Sequence, residues 1–164
     1  MKKELVNCAY IDNTNLYKGC EAEGFKIGYA KFRKYLGERH SVKTAYMFMG
    51  FVLGNEEMYT QLQEAGYTLV FKPTVLREGG IVKGNCDAEL VLQAVSDFYE
   101  KKFQKAVIVT SDGDFACLVK FLIKHDAIDR ILSPRGEEKC SSLLKKTGAK
   151  ITFLPQVKNL ISYK

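Results

Sequence analysis

The chain has 164 residues, enough for one domain with a full hydrophobic core, and its 46% hydrophobic and 27% charged residues give an ordinary soluble balance. No apolar run approaches the ~20 residues of a membrane span, and the start, MKKELVNCAYID, is no signal peptide, because its short apolar stretch contains Asn7 and runs into Asp12. A cytoplasmic protein is expected, and the net charge of +6 favours a polyanionic partner without proving one.

In chain order, the punctuation predicts strands alternating with helices. A first strand spans residues 5–11, and a first helix covers 28–36 with Tyr29, Phe32 and Leu36 on one side. Tyr17 falls between them, in a loop. A second strand at 43–49 is followed by a helix at 55–65 that stops at Gly66. The third strand is YTLVFK, ended by Pro73, and PTVLREGGIVKGN reads as a long loop or a ragged hairpin. A strong helix covers 87–101; then come strand four, KAVIVT, a helix from Asp114, strand five at 128–132, a helix at 137–146 and strand six, KITFL. This alternation predicts a mostly parallel central sheet in a three-layer α/β sandwich, Rossmann-like in kind, built as a single domain over 1–164.

In such sheets ligands bind beyond the carboxyl ends of the strands. Asp12 closes strand one, in AYIDNTNLYKG, and Asp112 and Asp114 follow strand four, in TSDGDF. If strands one and four are neighbours, their acids share one crevice. Asp87, in KGNCDAEL, lies on the stripe of Leu90, Val91, Ala94, Val95 and Phe98, so it faces inward at the first turn of its helix. The same wheel puts Glu89, Gln93, Asp97 and Glu100 on the watery side and removes Asp97 and Glu89 from the site. Each chosen acid also has a plainer role: Asp87, Asp112 or Asp114 could cap a helix, and Asp12 could stabilise a turn. Gathered at one edge, the acids would repel strongly, which calls for protonation or for a cation. All-oxygen ligands suit Mg²⁺ or Mn²⁺, and no histidine or cysteine nucleophile stands in these segments. Five cysteines without a C-x-x-C spacing, with only two histidines, leave zinc poorly supported.

On YIDNTNLYKG, KGNCDAEL and TSDGDF, in that order, the chain resembles the NYN domain, in particular the LabA-like branch of the PIN-like nuclease superfamily. The later ILSPRGEEKCSSLLKKTGAKITFL resembles the closing strand–helix–strand of that family. The resemblance implies a PIN-like α/β fold and Mg²⁺- or Mn²⁺-dependent ribonuclease activity on RNA. It puts the metal carboxylates, catalytic in that role, on Asp12, Asp87, Asp112 and Asp114. Asn15 matches the polar residue that supports the first acid or contacts substrate, Lys83 the lysine before the helix acid, and Ser111 the small hydroxyl before the strand-four acid. PIN-like proteins often dimerise, so a homodimer is among the implied states. Two departures stand out: Gln93 replaces a second helix acid, and KKTGAK lacks an acid before the last strand.

The leading expectation is therefore a metal-dependent endoribonuclease. Arg135, in the loop after strand five, sits at the same edge and would touch the RNA backbone. Tyr10, Tyr17, Phe25 and Phe115 are candidates to stack on bases, Tyr17 foremost, because core packing accounts better for the others, Phe115 most clearly. The alternative is a non-catalytic RNA- or protein-binding module of the same family. A phosphatase is a third class, but the D-x-D start of haloacid-dehalogenase-like phosphatases is missing, since Thr14 follows Asp12 at that spacing. No phosphate-binding glycine loop appears either.

Overall fold

The computed structural model describes residues 6–72, 75–77, 80–82 and 86–164. The strands are β1 (Asn7–Asp12), β2 (Val42–Gly50), β3 (Tyr67–Lys72), β4 (Val75–Arg77), β5 (Gly80–Val82), β6 (Lys105–Val109), β7 (Ile128–Ser133) and β8 (Ile151–Phe153). The α-helices are α1 (Asn13–Ala22), α2 (Tyr29–His40), α3 (Glu56–Glu64), α4 (Asp87–Tyr99), α5 (Ala116–Lys124), α6 (Ser142–Lys145) and α7 (Lys158–Ile161). Six strands form one sheet in the order β3-β2-β1-β6-β7-β8, and every neighbouring pair is parallel. β4 and β5 form a separate antiparallel hairpin, the ragged hairpin among the alternatives for PTVLREGGIVKGN.

The strand order carries the functional consequence. The chain moves outward from β1 through β2 to β3, returns along α4, and resumes beside β1 at β6. β1 and β6 therefore flank the point where the winding reverses, which is where crevices open in such sheets. Side-chain parity sorts the two faces. Ala9, Ile11, Val107 and Val109 join the core under α1, α2 and α3, with Leu16, Phe32 and Leu36. Cys8, Tyr10, Ala106 and Ile108 join the other core, with Leu90 and Ala94 of α4 and Leu118 of α5. Asp12 has the parity of Cys8 and Tyr10, so it leaves the strand on the side where α4 begins.

Three expectations change. Residues 13–22, which hold Tyr17, form helix α1 rather than a loop. Asp12 is its N-cap, accepting from the Asn15 backbone N–H at 3.3 Å, and Asn13, Leu16, Gly19 and Cys20 make its buried face. The helix expected over 137–146 contracts to Ser142–Lys145, because Ser141 caps it, accepting from the Leu143 N–H at 3.2 Å. Asp97 is fully buried rather than solvated. The buried stripe of α4 is Leu90, Ala94 and Asp97; the buried Tyr10 hydroxyl donates to Asp97 Oδ2 at 2.7 Å and the Gln93 amide donates to Oδ1 at 2.9 Å. A buried tyrosine needs a partner for its hydroxyl, and Asp97 supplies it. Among the described residues, no helix is long and apolar enough to cross a membrane.

Candidate active site

β1 and β6 run in register up to Ile11 opposite Val109, so Asp12 emerges opposite Thr110 at the carboxyl edge. β6 is followed by Ser111 and Asp112 and then a single turn of 3₁₀ helix, Gly113–Phe115, which Asp112 caps by accepting from the Asp114 N–H at 2.9 Å. Asp87 opens α4, whose N-cap is Cys86. Asp12 and Asp112 thus do serve as caps, and the capping geometry is what fixes their carboxylates at the rim.

One carboxylate oxygen from each of Asp87, Asp112 and Asp114 lies within 4.8 Å of the others. Asp12 stands beside them in a cavity of about 430 Å³ whose lining includes Asp12, Asn15, Lys18, Asp87, Asp112 and Arg135. Burial above all, joined by the charges of Asp87 and Asp112, raises the Asp12 carboxyl to about 6, against the opposing pull of the Asn15 N–H and the Thr110 hydroxyl. For scale, two unit charges about 5 Å apart interact by ~3 kcal/mol at an effective dielectric near 20. Four convergent carboxylates thus have a use for a cation. Their all-oxygen donor set and spacing fit a small divalent ion, with Asp87, Asp112 and Asp114 as its holders and Asp12 alongside.

The supporting polar network is specific. The Asn15 side-chain oxygen accepts from the Ser111 backbone N–H at 2.8 Å and from the Ser111 hydroxyl at 2.9 Å, tying α1 to the turn after β6. Buried Thr110 accepts from the Asp112 N–H at 3.1 Å while its hydroxyl also serves Asp12. Arg135 reaches the cavity wall with its guanidinium Nε on Glu23 at 3.1 Å, and the Gly136 N–H donates to the same Glu23 oxygen at 2.9 Å. The Gly136 N–H, and then Arg135, hold the Glu23 carboxyl below its usual range. Two glycines permit these approaches: a Cβ on Gly19 would lie 2.6 Å from Pro134 Cβ, and one on Gly113 would overlap the Ser141 hydroxyl.

Lys83 lies outside the described residues. Tyr10 and Phe115 are core residues, 0% and 1% exposed, and cannot stack on a ligand. Phe25 packs against the core under α1. Lys18, Thr14 and Thr110 were not singled out from sequence. Once α1 is recognised, Thr14 and Lys18 follow, because they stand on consecutive turns of a helix that starts at Asp12.

The NYN domain family model matches residues 8–158. The chain belongs to the NYN domain family. A crystal structure of a Vibrio parahaemolyticus protein of unknown function is similar at a TM-score of 0.72 and 21% identity, covering 92% of this chain and 94% of that one. That likeness extends the PIN-like α/β fold to almost the whole chain. A search of curated proteins found no match. The acidic cluster falls inside the matched residues, on segments from three separate parts of the NYN domain.

Proposed function

We propose that this NYN domain is a metal-dependent endoribonuclease that hydrolyses RNA phosphodiester bonds at the carboxyl edge of its sheet. The observation that supports it most is the convergence of Asp87, Asp112 and Asp114 within 4.8 Å, with Asp12 beside them, at the winding reversal between β1 and β6. Asp87, Asp112 and Asp114 hold Mg²⁺ or Mn²⁺, and Asp12 completes the acidic wall. When bound, such an ion supplies an activated water and offsets charge on the phosphoryl group. The chain's own residues bind and orient the substrate. Lys18 and Arg135 line the cavity and draw in the RNA backbone, with Arg135 aimed by Glu23. Lys83 adds a phosphate contact, as the family pattern implies. Asn15 and Ser111 lock each other, and so hold the turn that presents Asp112 and Asp114 to the phosphate.

The test is cleavage of an end-labelled single-stranded RNA with Mn²⁺ or Mg²⁺, with and without chelator. The proposal expects cuts that need the ion and vanish in Asp112→Asn. RNA binding without metal-dependent cutting would replace it with the non-catalytic module. Turnover of a small phosphomonoester but not of RNA would replace it with a phosphatase.

A further inference from the structure

A second cavity, of about 390 Å³, opens beside the acidic cleft, and Thr14 lines both. Its wall includes Asn13, Tyr17, Tyr29, Asn55 and Tyr59. Two of the tyrosines are fixed. The Tyr29 hydroxyl donates to Asn13 Oδ1 at 2.8 Å, and the Tyr59 hydroxyl accepts from the Val52 N–H at 2.9 Å. Burial raises the Tyr29 phenol, which therefore stays neutral and keeps that donor role. Three other polar groups have no hydrogen-bond partner among the described residues: the Asn13 amide nitrogen, the Asn55 side chain and the Tyr17 hydroxyl. Asn13 is only 7% exposed, with its amide nitrogen at the cavity surface rather than sealed in the core. Asn55 stands at the N-cap position of α3, where its side chain makes no capping bond.

We propose that this cavity is a nucleobase subsite, which takes the base of the nucleotide next to the scissile phosphate. This rests on the ribonuclease reading above. The position fits, because Asp12 faces the acidic cleft, Asn13 faces the second cavity, and Thr14 is shared. A chain with a phosphate at the acids has its neighbouring base within reach of Asn13. The chemistry fits as well. Tyr17 and Tyr29, both only partly buried, offer ring surface on which a base can stack, while Tyr59, 7% exposed and packed on Phe51 and Phe71, backs the cavity. The Asn13 amide nitrogen can donate to a base edge, and the Asn55 amide can pair with a donor–acceptor edge, as amide side chains do. Lys26 lies on the same wall and supplies a cation for the backbone. A base can enter only if it leaves its stack, so the subsite selects RNA that is single-stranded at that nucleotide.

The experiment measures binding of a fluorescent single-stranded RNA by polarisation in Ca²⁺, alongside single-turnover cleavage in Mn²⁺. A matched set of RNAs carries one abasic nucleotide at successive positions around the mapped cut, or along the whole oligomer if nothing is cut. For the wild type, one abasic position weakens binding about tenfold, the loss typical of one stacked base. Asn55→Ala, which removes a side chain without a hydrogen bond among the described residues, shrinks that loss, and so does Tyr17→Ala if thermal melting shows it folded. Wild-type affinity indifferent to every abasic position overturns the subsite, and so does Asn55→Ala that keeps the full base dependence. Base-dependent binding without any cutting keeps the subsite and sinks the ribonuclease reading instead. Cutting without base dependence does the reverse.

Discussion

Asp87 and Asp97 stand at the two ends of helix α4, and their surroundings are opposites. Asp97 is fully buried and matched by donors: the Tyr10 hydroxyl, the Gln93 amide and, at 3.9 Å, the Lys102 ammonium. Asp87 stands at the rim, its carboxylate turned toward those of Asp112 and Asp114. One acid is sealed in the core among donors of the chain, and the other shares the rim with two further carboxylates. Acid content alone therefore distinguishes nothing; what an acid faces decides whether it holds the fold or serves the site.

Substitutions can break this contrast. Asp112→Asn should lower metal-dependent RNA cleavage by more than about a hundredfold, beyond the range typical of groups that only support a metal ligand. It should leave thermal stability equal or higher, because it relieves repulsion. Asp97→Ala should do the opposite: a loss of about 3 kcal/mol, from the orphaned Tyr10 hydroxyl and the void, with cleavage per folded molecule largely kept. Urea melts and rate measurements on both variants test the pair. A stable Asp97→Ala would show that the Tyr10 bond contributes little. An Asp112→Asn variant that still cuts would take Asp112 out of the chemistry.

Gly19→Ala sharpens the contrast from the structural side. Its new methyl meets Pro134 in the loop that carries Arg135, which should cost about 1–3 kcal/mol and weaken RNA binding as well. Full stability and affinity would show that the loop yields freely.

The smallest effect concerns pH. Asp12 titrates at about 6 in the folded chain against 3.8 for an ordinary aspartate, so the folded state holds this proton more tightly. Its contribution to stability is therefore present at low pH and is lost as pH rises through about 6. In chelator, folding should be about 1 kcal/mol more favourable at pH 5 than at pH 7 on account of this group. Asp12→Asn should remove that difference. An unchanged pH slope in the variant would assign the slope to other groups.

Much of this was legible in the sequence. The six-stranded parallel sheet followed from the alternation of apolar runs with amphipathic ones, and the edge position of Asp12 and Asp112 followed from where those runs stop. Helix α1 was not legible by periodicity, because Asn13, Thr14 and Asn15 are weak helix formers; only the Asp12 cap and the spacing of Leu16 and Cys20 announce it. Asp97 was misplaced because counting apolar residues centred the α4 stripe on Val91, Val95 and Phe98. The buried stripe is instead turned toward the Tyr10 hydroxyl, a partner from a distant strand that no local pattern reveals. The second cavity was invisible for the same reason. It joins α1, the start of α2, the end of β2 and the start of α3, and Tyr17 acquired its neighbours only when the chain folded.

The most direct test is a crystal of the protein grown with Mn²⁺ and measured at the manganese absorption edge. The account predicts an anomalous peak bonded to carboxylate oxygens of Asp87, Asp112 and Asp114, with Asp12 against it directly or through water. A peak elsewhere, or none while Mn²⁺-dependent cleavage persists in solution, would contradict it.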